Sequence, residues 1–291
     1  MKALDLVELF ALGALWGCSF LFMRVAVPEF GPVPLIGLRV ATAALFLLPI
    51  LVYRSSVDVL WQRPGDFAVV GLVNSAFPFT MFAYATLTLT AGYTAVINAT
   101  APLFTALVAF LWVGERLSRI AAGGLLVGLI GVIVLVQDQL SLDMGGAGLP
   151  IVAALAASLS YGIAGNHARI CMSGVGSLQL AAGSQVAASL MLLPLCLVYW
   201  PAENPSLTAW LAVLALGILC TGIAYILYFR LLIRLGPARA VTVTYLVPLA
   251  AMIAGAIVLD ETITASMLAG CGLILLGTGL ATGLIRFAGR G

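Results

Sequence analysis

Stretches of mostly apolar residues follow one another along this chain of 291 residues, and short polar loops separate them. A helix needs about 20 apolar residues to cross the hydrocarbon core of a membrane, and ten stretches have that length. In lipid the backbone N–H and C=O groups must bond to one another, which favours helices. The sequence therefore predicts an all-α integral membrane protein. The predicted helices, numbered 1 to 10, cover residues 6–25, 32–52, 67–88, 91–113, 119–137, 148–168, 178–199, 207–229, 236–259 and 263–285.

The second half of the chain repeats the pattern of the first half. Pro102, for example, recurs as Pro248 after 146 positions. The two repeats, residues 1–141 and 142–291, contain five predicted helices each. Because five is an odd number, the second repeat must enter the membrane from the opposite side. Two inverted repeats around a site near the middle of the membrane are typical of secondary transporters.

The distribution of basic residues predicts the orientation of the chain. If the N-terminus is cytoplasmic, nearly all of the 13 lysines and arginines lie on the cytoplasmic side, as the positive-inside rule requires. Arg24 falls outside, and Arg39 lies within predicted helix 2. The loop after helix 4 carries two arginines, whereas its repeat counterpart after helix 9 carries none. We therefore expect a multi-pass protein of the cell inner membrane with both termini in the cytoplasm.

The composition excludes several classes of protein. Apolar residues make up 63% of the chain and charged residues 8%, whereas soluble domains contain about 25% charged residues. The net charge of +2 is small and the basic residues are scattered, so no nucleic-acid partner is expected. The partners that we expect are the lipid bilayer and a small-molecule substrate. The five cysteines form no CxxC pair and are interpreted as packing residues.

Motifs for nucleotide, metal and enzyme chemistry are missing from the sequence. The only lysine, Lys2, cannot belong to a G-x-x-x-x-G-K-[ST] loop, so neither an ATP site nor an ATPase subunit is expected. The only histidine, His167, is not part of an H-E-x-x-H motif, and no G-x-S-x-G motif accompanies it. We therefore expect no metal, no cofactor and no enzymatic activity.

Short motifs stand in a characteristic order along the two halves. They are Trp16-Gly17 with Ser19-Phe20, Leu38-Arg39, Ala101-Pro102-Leu103, Gly114-Glu115-Arg116-Leu117, Pro248-Leu249 and Asp260-Glu261. In these features the chain resembles the EamA family of the drug/metabolite transporter superfamily. The resemblance implies a bacterial inner-membrane carrier that exports amino acids or other small metabolites. Within the family, the chain is most similar to amino-acid exporters, including those that handle aromatic amino acids.

Three predicted helices contain an internal proline: Pro78, Pro102 and Pro248. A proline lacks the N–H group that would bond to the carbonyl four residues earlier. These carbonyls belong to Asn74, Asn98 and Thr244. Unpaired carbonyls are tolerated in a membrane where they face a hydrated cavity. We therefore predict that the three polar residues line a substrate site and that the prolines are hinges. The alternative is a plain kink whose polar side chains bond to neighbouring helices.

Aromatic residues within the predicted helices provide further candidates for the site. Trp and Tyr normally lie at the membrane interface, but Trp16 and Tyr161 lie deep in helices 1 and 6 at repeat-equivalent positions. Tyr84 and Tyr228 also lie inside helical spans and are predicted to bind substrate. The alternative is an ordinary core aromatic whose polar group bonds to a neighbouring backbone.

Four ionisable residues have two interpretations each. Arg39 either snorkels outward or makes a structural bond, and the alternative is a contact with a substrate carboxylate. Glu115 and Glu261 lie at helix ends and are interpreted as capping or gate-anchoring residues rather than proton carriers. His167 is interpreted as an interfacial residue rather than a ligand or a proton relay.

Glycines in helices 5 and 10 predict close packing. Gly124, Gly128 and Gly131 share one face of helix 5, and Gly270 and Gly277 repeat the seven-residue spacing in helix 10. Such faces let helices approach one another closely. The sequence does not decide whether they join the two halves or two subunits.

The functional hypothesis is a secondary transporter that exports small metabolites, foremost amino acids, by alternating access. The alternatives are a multidrug efflux carrier, a channel or a non-transporting membrane scaffold. Carriers that exchange protons for cationic drugs usually need a buried carboxylate, and no carboxylate lies in the middle of a predicted helix. The coupling ion, if one exists, is not indicated, and a facilitator driven by the substrate gradient fits the sequence equally well.

Overall fold

In the computed structural model, which describes residues 3–142 and 146–285, every regular element is helical. The apolar helices are α1 (Ala3–Phe30), α2 (Pro32–Arg54), α3 (Pro64–Ala85), α4 (Ala91–Val113), α5 (Arg119–Leu142), α6 (Gly148–Cys171), α7 (Ser177–Val198), α8 (Leu207–Leu235), α9 (Val243–Leu259) and α10 (Ala265–Ala281). Two short helices, Asp58–Gln62 and Pro237–Ala240, lie between α2 and α3 and between α8 and α9.

The lengths of these helices match the predicted spans unequally. Helices α1 to α8 are long and apolar enough to cross a membrane. Helices α9 and α10 have 17 residues each, which corresponds to roughly 26 Å at 1.5 Å per residue, slightly less than a typical hydrocarbon core. The described residues thus contain eight candidate spans and two shorter apolar helices at the predicted ninth and tenth positions.

Three of the long helices are interrupted. Helix α3 contains a π-helical turn at Leu72–Ala76, and α8 contains a longer π-helical segment at Ala215–Ile223. Helix α4 is divided into Ala91–Asn98 and Ala101–Val108 by a short turn. Interruptions of this kind are frequent at functional sites.

Hydroxyl side chains cap the start of three helices. Thr90, Ser206 and Thr264 precede α4, α8 and α10, and each accepts a 3.2 Å hydrogen bond from a backbone N–H group in the first helical turn. Such caps satisfy donors that a helix cannot pair internally. They fix where these helices begin at one end of the bundle.

Helices of each predicted half pack mainly on helices of the other half, and repeat-equivalent helices have repeat-equivalent partners. Helix α1 packs on α9, and its repeat counterpart α6 packs on α4. In the same way α1 packs on α8 and α6 on α3. The remaining large contacts join α2 to α7 and α5 to α10, which are repeat counterparts of each other. Each half is therefore packed mainly against the other.

Two repeat-related glycines permit α1 to approach α9 closely and α6 to approach α4 closely. A Cβ atom added at Gly17 of α1 would lie 2.8 Å from the carbonyl oxygen of Val247 in α9. A Cβ atom at Gly162 of α6 would lie 2.9 Å from the carbonyl oxygen of Phe104 in α4. Because real Cβ atoms do not come so close to a backbone, any larger residue would force these helices apart.

The predicted glycine face joins α5 to α10 of the same chain. A Cβ atom at Gly124 would lie 2.7 Å from the carbonyl oxygen of Gly277, and one at Gly131 would lie 2.8 Å from the backbone nitrogen of Ile274. The opposite side of α5 is exposed and strongly apolar, as expected for contact with lipid. The exposed residues of this side include Leu126, Leu129, Ile130 and Ile133.

Candidate functional site

A buried arginine lies near the middle of the bundle. Arg39 of α2 is 4% exposed, and its Nε donates a hydrogen bond of 3.1 Å to the hydroxyl of Thr221 in α8. Its guanidinium carbon lies 3.8 Å from the centre of the Phe79 ring in α3, the geometry of a cation–π contact. Among the residues that the structure describes, no carboxylate forms an ion pair with Arg39. Arg39 therefore makes a structural bond and does not snorkel outward.

The π-helical segment of α8 positions Thr221 for this contact. The Thr221 hydroxyl donates 2.8 Å to the carbonyl of Leu216, five residues earlier, and it accepts from Arg39 at the same time. The two helices approach closely at Gly217, where an added Cβ atom would lie 2.9 Å from the carbonyl oxygen of Arg39. The absence of a side chain at residue 217 therefore allows α8 to reach the buried charge.

A group of polar side chains lies close to this arginine. The Nδ2 of Asn74 donates 3.2 Å to the hydroxyl of Tyr225, which stands in α8 four residues after Thr221, the partner of Arg39. The next residue, Ser75, accepts 2.9 Å from Nε2 of Gln185 in α7. Gln185 is fully buried, and its Oε1 has no partner among the described residues. A buried acceptor without a donor costs about 1–3 kcal/mol, so this group is incomplete as it stands.

Aromatic rings surround the same region. Tyr161 of α6 packs against Phe79 and Phe82, with ring centres 6.4 and 5.9 Å away. Phe79 therefore lies between Tyr161 and Arg39. The structure thus brings two of the predicted site residues, Asn74 and Tyr161, to one place. We call the following residues the central cluster: Arg39, Asn74, Ser75, Phe79, Tyr161, Gln185, Thr221 and Tyr225.

Two more predicted site residues lie beside the central cluster. Trp16 of α1 and Tyr228 of α8 are half-buried and pack with ring centres 5.4 Å apart. Phe229 contacts both Tyr228 and Tyr225, with ring centres 5.5 and 5.9 Å apart. A continuous series of rings therefore connects Trp16 to the central cluster.

Three predicted site residues make no hydrogen bond or ring contact with this cluster among the described residues. Asn98 is half-buried at the end of the first segment of α4 and makes no side-chain hydrogen bond to another described residue. Thr244 lies in the first turn of α9, where its hydroxyl donates 2.8 Å to the carbonyl of Val241. Tyr84 is half-buried near the end of α3. Their predicted contact with substrate stays a prediction.

Pro78 has no N–H group, so one carbonyl of α3 lacks its helical donor and receives a side-chain hydroxyl instead. This carbonyl is not the one that the sequence indicated. Ser160 of α6 donates 2.7 Å to the carbonyl of Val73, whereas the sequence indicated the carbonyl of Asn74. The π-helical turn explains the difference, because it shifts the expected partner of Pro78 from four to five residues earlier. The lost proline bond is thus replaced by a hydroxyl from the other half.

The break in α4 is satisfied in a similar way. The Ser158 hydroxyl of α6 lies 3.2 Å from the carbonyl of Ile97, and the Thr278 hydroxyl of α10 lies 3.3 Å from the carbonyl of Ala99. These carbonyls flank Asn98, whose own carbonyl the sequence had indicated. Both donors belong to the second predicted half, so the break in α4 depends on contacts between the halves.

The two repeat-related prolines occupy different local structures. Pro102 stands in the first turn of the second segment of α4, directly after the break. Pro248 lies inside α9, which continues from Val243 to Leu259 without a break. The predicted hinge at Pro248 therefore lies within a continuous helix, and its role stays a prediction.

Repeat-related ion pairs lie at the two ends of the bundle. We call the end that carries the start of α1 the first face and the opposite end the second face. At the first face, Arg169 of α6 pairs with Glu115 at 2.7 Å. At the second face, Arg24 of α1 pairs with Glu261 at 3.9 Å. Both oxygens of Glu261 also lie 3.0 Å from the N–H group of Ala91 at the start of α4, so the predicted capping role is present.

A second set of charges joins α1 to α8 at the first face. Glu8 is 6% exposed; it lies 2.8 Å from Arg230 and in direct contact with Arg234. Arg234 also lies 3.4 Å from Asp5. This network was not predicted from the sequence, because the carboxylates and the arginines that pair are more than 220 positions apart.

Three potential metal ligands meet at the first face. Ligand atoms of Asp66, His167 and Cys171 lie within 4.8 Å of one another, and Nε2 of His167 is buried without a partner among the described residues. Such a group has the donor types that Zn²⁺ accepts. The sequence predicted no cluster of this kind, because 101 positions separate Asp66 from His167 and only the packing of α3 on α6 brings them together.

Comparison with known proteins also indicates a membrane transporter. The sequence model of the EamA-like transporter family matches residues 6–137 and 148–283. "Uncharacterized transporter YoaV" of Bacillus subtilis is 24% identical over 90% of this chain and 91% of its own length. "Uncharacterized inner membrane transporter YedA" of Escherichia coli is 27% identical over 94% of this chain and 89% of its own length.

A third relative carries a functional name. "Probable amino-acid metabolite efflux pump" of Escherichia coli is 26% identical over 90% of this chain and 89% of its own length. A solved structure titled "Crystal structure of protein" shares the fold, with a TM-score of 0.65, 20% identity and coverage of 98% of this chain and 99% of that chain. Since the family model covers both halves, the protein belongs to the EamA-like transporter family.

Proposed function

We propose that the protein is a secondary transporter that exports small metabolites, foremost amino acids, across a bacterial inner membrane. Membership of a transporter family supports the general function. Two relatives bear names that support the substrate and the membrane, one an amino-acid metabolite efflux pump and the other an inner-membrane transporter.

The central cluster is the observation that carries this proposal. Its members come from α2 and α3 in the first half and from α6, α7 and α8 in the second half. Buried polar residues at such depth are costly in a membrane protein and mark substrate pathways. A site shared by both halves is suited to alternating access, because a relative movement of the halves exposes it to one side at a time.

The proposed topology has ten spans in two inverted repeats, residues 1–141 and 142–291. The exchange of packing partners between the halves supports this arrangement, and α9 and α10 would cross the membrane at the lower limit of length. The first face is proposed to be cytoplasmic, because it carries Arg169, Arg230 and Arg234.

The proposed hinges are Pro78 and Pro102, in the interrupted parts of α3 and α4, and Pro248 inside α9. A helix that lacks internal bonds bends more easily at that point. Multidrug efflux is the less favoured alternative, since the central cluster offers a buried cation, Arg39, where a carrier of cationic drugs would need a carboxylate.

Counterflow into sealed proteoliposomes tests the proposal. Vesicles containing the purified protein are loaded with one unlabelled amino acid and diluted into the same labelled compound, for each of the 20 amino acids and for labelled nucleosides. A transporter shows saturable uptake and transient accumulation of label, whereas a channel shows neither saturation in that range nor counterflow. Empty vesicles provide the control. If no compound accumulates with a protein that remains folded, the proposed export function is wrong.

A further inference from the structure

The charge of Arg39 has no counter-ion among the residues that the structure describes. Only its Nε donates to an oxygen, that of Thr221. The terminal NH1 faces the sulfur of Met23 at 3.7 Å, and sulfur is a weak acceptor. The two terminal nitrogens are the part of a guanidinium that binds a carboxylate with two parallel hydrogen bonds. In Arg39 this part is therefore left without an oxygen partner.

A buried cation of this kind is costly unless something pairs with it. The residues that hold Arg39 in place, Phe79 and Thr221, orient the guanidinium without neutralising it. We propose that the carboxylate of the transported molecule binds the terminal nitrogens of Arg39. This proposal rests on the transport function proposed above and names the chemical class of its substrate, small carboxylates.

A second unpaired group on the same cluster specifies the substrate further. Gln185 is fully buried, and its Oε1 has no donor, although Nε2 bonds to Ser75. If the oxygen and nitrogen of the Gln185 amide were exchanged, the nitrogen would lack a partner instead of the oxygen. One amide atom is therefore unpaired in either orientation. In the orientation observed, the oxygen is an acceptor for an ammonium group. The central cluster thus offers donors for a carboxylate, from Arg39, and an acceptor for an ammonium group, from Gln185, which are the two charged groups of an amino acid.

The remaining surroundings favour an apolar side chain on that amino acid. The ring of Phe79 lies against Arg39, and Tyr161 and Phe82 continue from it as a group of packed rings. Such rings bind apolar or aromatic groups. A cationic compound that lacks a carboxylate would instead place a like charge beside the guanidinium. L-phenylalanine is therefore a suitable probe.

The experiment compares three ligands that differ only in their charged groups. These are L-phenylalanine, L-phenylalaninamide, which lacks the carboxylate, and 3-phenylpropanoate, which lacks the ammonium group. Two quantities are measured: the rise in unfolding temperature of the purified full-length protein and the inhibition of labelled L-phenylalanine counterflow. Both carboxylates should bind and the amide should bind about 10- to 100-fold more weakly, since a hydrogen-bonded ion pair is lost.

Variants assign this preference to named residues. Arg39→Gln should abolish the preference for carboxylates, whereas Arg39→Lys, which keeps the charge, should retain a reduced preference. Arg54→Gln removes an exposed arginine from the end of the same helix and should change nothing. Gln185→Leu should weaken L-phenylalanine binding and leave 3-phenylpropanoate binding unchanged.

Specific outcomes overturn the proposal. It fails if L-phenylalaninamide binds as tightly as L-phenylalanine, if no carboxylate binds, or if a folded Arg39→Gln variant keeps the carboxylate preference. It also fails if both Arg39 variants are unfolded and the wild-type protein shows no carboxylate preference. Counterflow of a labelled nucleoside by the same preparation would leave the transport function standing while the carboxylate site is rejected.

Discussion

The ion pairs Arg24–Glu261 and Arg169–Glu115 occupy repeat-equivalent positions but have different surroundings. At the second face, the side chains of Arg24 and Glu261 are 30% and 11% exposed. Arg24 also donates to the carbonyl of Thr86, and Glu261 accepts from the N–H group of a helix start. At the first face, the side chains of Arg169 and Glu115 are 51% and 52% exposed. Equivalent sequence positions thus form a buried junction at one face and a solvated pair at the other.

This difference indicates that the two halves, although their sequences repeat, have different local conformations at the two ion pairs. In a transporter that alternates between two states, the halves exchange their environments. We therefore expect the buried junction to loosen when the second face opens, and the solvated pair to become buried when the first face closes. Substitutions at the two pairs test this difference.

The largest difference is expected from reversing each pair. Arg24→Glu combined with Glu261→Arg should destabilise the protein by about 3 kcal/mol, because arginine cannot accept the N–H group of Ala91 in this buried place. The same reversal at Arg169 and Glu115 should cost no more than about 0.5 kcal/mol, since exposed pairs contribute little. Denaturant unfolding in detergent measures both values, and equal costs would contradict the comparison.

A smaller effect is expected from neutralising one carboxylate. Glu261→Gln keeps an oxygen for the N–H group of Ala91 but removes the negative charge that pairs with Arg24, which retains only its hydrogen bond to the carbonyl of Thr86. We therefore expect a loss of about 2 kcal/mol. The matched variant is Glu115→Gln, which should lose far less. A Glu261→Gln protein as stable as wild type would show that the second-face junction does not depend on its ion pair.

The same substitution should change accessibility at the second face. Leu89 lies between α3 and α4 and is 2% exposed, so a cysteine placed there reports on opening. In a background without the native cysteines, Glu261→Gln should speed labelling of this residue by a water-soluble thiol reagent about tenfold, equivalent to about 1.4 kcal/mol. The Glu115→Gln background should label at the wild-type rate. An unchanged rate in both backgrounds would separate the ion pair from opening.

The smallest effect concerns salt. The Glu115→Gln loss should be about 0.5 kcal/mol at low ionic strength and should vanish in about 1 M salt, where the screening length falls to roughly 3 Å. The Glu261→Gln loss should persist, because partly buried pairs are screened much less. Repeating the unfolding measurement at two salt concentrations checks this, and a salt-sensitive Glu261→Gln loss would count against burial of the junction.

Most of the helical framework could be predicted from the sequence, because the length of an apolar stretch directly determines whether a helix can cross lipid. The exception is the predicted ninth helix, which was expected to begin at residue 236. Gly236 has a φ of 78° and ends α8, and the proline after it begins a separate short helix. A glycine–proline pair is a known terminator, so this boundary was accessible from the sequence.

The site was less accessible to sequence reasoning. Asn74 was identified because Pro78 leaves its carbonyl without an expected partner, and Tyr161 because an aromatic residue is conspicuous deep in an apolar helix, at the position equivalent to Trp16. The structure brings both into the central cluster. Gln185 was missed although it is equally conspicuous. The contacts of Arg39 with Thr221 depend on a π-helical turn and on packing between helices 182 positions apart. No local sequence pattern predicts which residues of two distant helices lie opposite each other.

One helix, α6, supplies hydroxyls to two interrupted neighbours: Ser160 to α3 and Ser158 to α4. Two positions correspond to about 200° around a helix, so the two serines lie on opposite sides of α6, which is held between α3 and α4. A shift of α6 towards one neighbour therefore lengthens its hydrogen bond to the other. The carbonyl of Val73 would then need a new donor, whereas the carbonyl of Ile97 keeps the N–H group and the hydroxyl of Thr100.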